Sequence, residues 1–512
     1  LLELKKMRFH FTSVVWIGCL ASSFSFAASG DLRLIQAVKS QDAESVRALL
    51  KQRVDVNAAQ GDGSTALHWA ADLDNLTIAD VLIRAGAPVN AANDLGATPL
   101  YLACRNRSAS MVDRLLAAGA NANAKLLKGE TALMTCARTG ESKAVKSLLV
   151  HGANAKAKEP EHDQTALMWA AAESHPEAVG MLIEFGADVR ARSRIYSQTV
   201  VGEQTQRAGR EELNYNVQRG GMTPLLFAAR NGDAESARLL LAAGADANDL
   251  LADGTSALVL AAHSGQGNVA IALLEKGADP NAMGGGYAAL HAAVLRSDLN
   301  LVKALLAHGA DPNIKMTKGT PVRRDTTDYN LLAPLIGSTP YLLAARFLEP
   351  EIMRALVAGG ADPKITMPNG ATPLMLAAGM GTSFEESRRG INVIDFGKVE
   401  PESQVLEAVK TVFELSGDIN ASNQAGDTAL HSSAAWGHET VVQFLADHGA
   451  QLNAKNKAGL TPLTALLAPA KRKYQLAGGA GAASGADSAT DDPAQAARLR
   501  TAALLRKLGA TE

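Results

Sequence analysis

Cysteine, aromatic residues, net charge and long apolar runs are all scarce in this chain, and each shortage excludes something. Three cysteines in 512 residues cannot build a disulfide framework or a four-cysteine zinc site. A formal charge of -2 removes the basic field that a nucleic-acid binder needs. Aromatic residues make up 4% against 47% hydrophobic residues, so the apolar content is mostly Ala, Leu and Val, in the proportion of an ordered chain. Beyond the first 27 residues no apolar stretch has the length of a membrane helix. The chain is therefore expected to have no membrane span once its leader is gone.

What is present begins with that leader. Lys5, Lys6 and Arg8 precede an apolar stretch from Phe11 to Phe24, and Ser25 and Ala27 supply the small residues of a cleavage site after Ala27. This is a secretory signal pattern, expected to span residues 1–27. Thr12, Ser13, Gly18, Ser22 and Ser23 make it too polar for a comfortable membrane anchor. Lipidation at Cys19 is the alternative. The address points to export in a bacterium, to the periplasm or beyond.

The second feature is a repeat. Segments opening with Thr-Pro-Leu or Thr-Ala-Leu start at Thr65, Thr98, Thr131, Thr165, Thr223, Thr372, Thr428 and Thr461, with variants at Ser256, Ala288 and Thr339. Seven of the ten intervals lie between 32 and 34 residues, and the other three are 58, 51 and 56. Insertions into a regular frame account for the long ones. Within one unit, Thr223 can cap a helix whose first position is Pro224, Gly232 ends it, Ala234 to Ala243 carries apolar residues at helical spacing, and Gly244 stops the second helix.

These residues resemble the ankyrin repeat, with its Thr-Pro-Leu-His opening and its closing Gly-Ala-Asp-x-Asn, over residues 31 to 510. The resemblance implies an all-α solenoid of helix-turn-helix units with hairpin-like finger loops along a concave face. One unit cannot bury its own apolar face, so about eleven stacked repeats share one core. The expected organisation is a capping repeat over 28–64, repeats over 65–468 with insertions at 193–221, 316–338 and 381–404, a flexible Gly/Ala/Ser loop over 469–491, and a capping helix over 492–512. Arg190 and Lys364 depart from the usual Asp or Asn, which puts those two turns in doubt.

Chemistry finds little support. Nine of eleven histidines fall on repeat positions: His68, His291 and His431 in the opening motif, His151, His308 and His448 at the end of second helices, and His175, His263 and His438 near the turn between helices. Cys104 and Cys136 fall in first helices of adjacent repeats and are expected to be buried free thiols projecting from slightly different faces. Ser432 and Ser433 are expected to bond back to their own helix. Phosphate loops, zinc-protease motifs and nucleophile elbows do not occur. No catalytic residue, cofactor or metal ligand is assigned.

Binding is sought where the chain leaves the frame. The first insertion carries Arg194, Tyr196, Arg207, Arg210, Tyr215 and Arg219, and the second Lys318, Arg323, Arg324 and Tyr329. Both are net positive, and Arg and Tyr are residue types enriched at binding hot spots. Two such fingers three repeats apart would form a clamp; packing on their own repeats is the other reading. Eight residues after the opening Thr, Phe347, Met380 and Trp436 replace the Asn106 and Asn231 seen elsewhere, giving an apolar stripe beside the third insertion. The expectation is a monomeric, non-catalytic interaction scaffold with a protein partner and no nucleic acid. An accessory subunit docking a periplasmic enzyme or cytochrome, and a secreted effector binding a host protein, are the alternatives.

Overall fold

In a computed structural model, which describes residues 31–201, 214–319, 331, 335–379, 401–468 and 493–512, the opening threonines do the work of helix caps. The hydroxyls of Thr98, Thr131, Thr165, Thr223, Thr339 and Thr372 each accept the amide three residues on, at 3.2–3.3 Å. Extended backbone at the cap followed by Pro or Ala at the first helical position starts each first helix. Second helices start at short polar residues, Asp42, Asn75, Ser108, Asp233 and Asp298, whose side chains take the same amides.

Twenty-four helices pair into twelve hairpins among the described residues. The first pair is Arg33–Lys39 with Ala43–Lys51, and the Thr223 repeat is Pro224–Asn231 with Ala234–Ala242. Two repeats are drawn out: Pro373–Ala377 is followed by a second helix at Glu402–Ser416, and Pro462–Leu467 by one at Pro493–Lys507. First helices stack on first helices and second on second, so one apolar core runs from Leu34 to Ala510. A fully buried leucine such as Leu240 contributes about 1.5–3 kcal/mol. Most first helices carry Ala where neighbours approach, as at Ala228 and Ala229.

Polar ladders hold the repeats in register. Asn248 donates to Gly277 O at 3.2 Å and accepts from Asp279 N at 2.7 Å. Asn281 does the same to Gly309 O and Asp311 N, and Asn313 to Gly360 O and Asp362 N. Both turns placed in doubt form: Arg190 N and Lys364 N bond to the carboxylates of Asp188 and Asp362 at 2.9 Å. Arg190 keeps half of the ladder through Nε to Gly244 O at 3.1 Å, and its guanidinium has no acceptor to offer in return.

One expectation is overturned. Cys104 and Cys136 form a disulfide, with Cα atoms 4.7 Å apart. The helices Pro99–Arg105 and Ala132–Thr139 lie side by side, and a 32-residue separation in a 33-residue frame shifts the thiols by one position. That shift turns each toward the other across the interface.

Candidate functional site

The first insertion is more ordered than a loop. Tyr196–Val201 (β1) and Asn214–Arg219 (β2) pair antiparallel, Tyr196 opposite Arg219 and Val200 opposite Tyr215. Its root is braced on both sides. Arg194 donates to Pro160 O at 2.8 Å, pairs with Asp163 at 3.2 Å, and its amide reaches His162 O. Arg192 reaches Gly221 O at 2.9 Å and Leu250 O at 3.0 Å, and pairs with the buried Asp249, which also accepts from the Thr223 hydroxyl. Gly220 and Gly221, at φ +83° and +66°, turn β2 into the Thr223 helix where a side chain would be strained. An open groove of about 640 Å³ at this root is lined by Arg190, Arg192, Asp249 and Lys276 among others.

The sequence-based candidates scatter. Tyr196 stands 49% exposed beside Ile195 at 55%, Arg194 is committed to the preceding finger, and Arg219 Nε donates to Gln198 at 3.3 Å. Of Tyr215 only the backbone position is described. Arg207, Arg210, Arg323, Arg324, Tyr329 and Met380 lie outside the described residues. Phe347 packs against the core. Trp436 Nε1 donates to Gly379 O at 2.7 Å. That bond places Trp436 in a ladder with Asn106, which donates to Ala71 O, Thr139 to Cys104 O, and Asn231 to Ala172 O. Part of what looked like an apolar stripe is thus a polar register device.

Most of the described histidines are occupied by the fold. In His68 and His291, Nδ1 accepts the amide of the residue three before it, at 3.0 and 3.2 Å, and Nε2 donates to a carbonyl of the next finger, at 2.9 and 3.2 Å. Burial pushes both imidazoles down, His291 to about 4. His151, His308 and His448 donate to their own helix's carbonyls at 2.7–2.8 Å. Ser432 and Ser433 bond back to Thr428 O and Leu430 O. Among the described residues no group of three or more His, Cys, Asp or Glu is placed to hold a metal, and no helix is long and apolar enough to cross a membrane.

A different set of residues lines the inner face of the first helices. Seven residues after the opening Thr, Arg recurs as Arg105, Arg138, Arg230 and Arg346. At four, large apolar side chains recur as Trp69, Trp169 and Phe227. Lys39 lies 3.9 Å from the Trp69 ring centre, Arg138 5.0 Å from Trp169, and Arg230 5.1 Å from Phe227. The spacing of these arginines was available in the sequence; what each one faces was not.

The model for "Ankyrin repeats (3 copies)" matches residues 34–125, 108–193, 206–284, 225–316 and 402–468, and that for "Ankyrin repeats (many copies)" matches 167–241. Together they cover more than half of the chain. Among curated proteins, Ankyrin repeat domain-containing protein 63 of Mus musculus is 29% identical over 158 residues, 26% of this chain and 39% of that protein. NF-kappa-B inhibitor alpha of Homo sapiens is 30% identical over 120 residues, 23% of this chain and 32% of that protein. The chain thus spans between 32% and 39% of the length of these relatives. Among solved structures, the human ASB11 ankyrin repeat domain is 28% identical with a TM-score of 0.39, covering 48% of this chain and 98% of that one.

Proposed function

The chain belongs to the ankyrin-repeat family, and from that premise we propose that it is an exported, non-catalytic scaffold that holds a protein partner against its fingers and first-helix face. The observation that carries this reading is the β1–β2 ribbon. It extends one finger of a regular frame, adds little to the core, is braced at its root by Arg192 and Arg194, and presents Ile195 and Tyr196 to solvent. Rigid presentation of an aromatic side chain lowers the entropy lost on binding. The root of the second insertion, where Met316 N bonds to Ser338 O, stands three repeats on, about 25–30 Å away at roughly 8–10 Å per stacked helix. Between the two a partner would be gripped from both sides.

Two features support export. One is the signal pattern of residues 1–27. The other is the Cys104–Cys136 disulfide, a bond that persists in the periplasm or outside the cell and is rare in a reducing cytosol. The periplasm of a Gram-negative bacterium is the proposed compartment.

The test is a cross-linking pull-down from periplasmic and extracellular fractions. It compares the wild-type chain with one in which β1 and β2 are joined by a two-residue turn near their root. A partner held by the wild type alone is the expected result, and equal recovery by both removes the ribbon from the site. Thiol trapping in intact cells addresses the compartment, because alkylation of Cys104 and Cys136 before any reductant is added would refute export.

A further inference from the structure

Arg230 differs from Arg105 and Arg138 of its register. Arg105 pairs with Asp72, and Arg138 lies 3.5 Å from Glu130. Arg230 has neither a carboxylate nor a hydrogen-bond acceptor among the described residues. Its Nε is sealed from solvent with no partner, and burial alone pushes its pKa down. Its guanidinium lies over the Phe227 ring, 5.1 Å from the ring centre. On the preceding repeat the same register position is Ala172, a side chain that ends at Cβ and cannot answer the charge. On the following repeat it is His263, tilted against Tyr287 at 5.7 Å between ring centres.

The Nε donor sealed without a partner costs free energy in the unbound protein, while the half-buried side chain keeps the rest of the guanidinium within reach of solvent or a ligand. No carboxylate among the described residues answers the guanidinium, and one from a partner would supply the counter-charge. A guanidinium presents a planar fork of donors that fits a carboxylate bidentately. The half-buried Trp169 lies on the neighbouring first helix, and β2 leads straight into the Arg230 helix, so the ribbon and this residue belong to one repeat.

We propose that Arg230 anchors a carboxylate subsite on the first-helix face, which receives an Asp or Glu side chain from an extended acidic segment of a protein partner. This rests on the scaffold reading and specifies its chemistry.

The probe is a fluorescein-labelled peptide of alternating Glu and Leu, with a Gln and Leu counterpart, titrated against the full chain by fluorescence anisotropy. The wild type is expected to bind the Glu peptide at least about tenfold more tightly, a difference of about 1.4 kcal/mol. Arg230→Met abolishes that preference without lowering the thermal midpoint of the unliganded protein, while Arg105→Met leaves the preference in place. Equal binding of the two peptides by the wild type overturns the proposal. So does an Arg230→Met variant that keeps the preference, or one whose midpoint falls sharply, which would give the charge a structural role. The scaffold reading is judged separately. A partner recovered alike by the wild type and Arg230→Met, and lost with the ribbon, leaves the scaffold intact and removes the Arg230 subsite.

Discussion

Acid should unfasten the junction around His291. Its Nδ1 accepts the Ala288 amide at 3.2 Å and its Nε2 donates to Ser338 O at 3.2 Å, so the ring must be neutral with its proton on Nε2. A second proton on Nδ1 would point at the Ala288 N–H, donor against donor, inside a fully buried site. Burial accordingly holds the folded pKa at about 4, against 6.5 for a free imidazole. The folded value is the lower one, so the unfolded chain binds more protons between these limits and stability rises with pH there. The contribution is complete above pH 6.5, falls by about 2 kcal/mol at pH 5, and is lost by about 3 kcal/mol near pH 4, at ~1.4 kcal/mol for each pH unit. Ser338 closes the second insertion, so the bond ties two repeats across that interruption, and in a solenoid such a loss opens the junction locally. The assay is a histidine-selective carbon-13 NMR titration, paired with urea denaturation of wild type and His291→Gln at pH 7 and pH 4.5. Titration of His291 near 6.5, or an identical pH dependence in the two proteins, would refute the reasoning.

Three further outcomes follow from the packing. Reduction of Cys104–Cys136, or replacement of both by Ser, should destabilise the flanking repeats by about 3–4 kcal/mol on the loop-entropy model for a 32-residue separation; denaturation with and without reductant measures it, and coincident curves would contradict it. Arg190→Asn should stabilise by about 1 kcal/mol, because Asn supplies the acceptor that the guanidinium lacks, as Asn248 does one repeat on. Gain over wild type by Arg190→Ala to the same extent would show that the ladder is not the cause. Gly379→Ala should cost about 2 kcal/mol, since its φ is +107° and an added Cβ would stand 2.6 Å from Trp436 Cδ1. The intrinsic fluorescence of Trp436 should shift with it, and unchanged stability and emission would sink the account.

The legible part was the frame. Thr-Pro-Leu at 33-residue intervals implies a capped helix in each unit because cap, proline and glycine act within a few residues of themselves. The delayed second helices at Glu402–Ser416 and Pro493–Lys507 carried the same local signals after their insertions. The site was less legible. Arg194 and Arg219 were singled out as basic residues in an irregular segment, yet Arg194 braces the finger root and Arg219 bonds to Gln198. Arg230, in the most regular part of the repeat, drew no notice because nothing near it in the chain is unusual.

What the sequence determined by itself was therefore whatever depends on near neighbours: helix starts and stops, the left-handed turns, the repeat count and the shared core. Only the tertiary structure decided what depends on partners at a repeat's distance. Stacking brings residues one repeat apart into contact, so it joined Cys104 to Cys136, matched Trp436 to Gly379 O across an insertion, and paired Arg105 with Asp72 while leaving Arg230 Nε without a hydrogen-bond partner among the described residues. The physical reason is that burial and charge pairing are properties of the space around a side chain. In a solenoid half of that space is supplied by the neighbouring repeat.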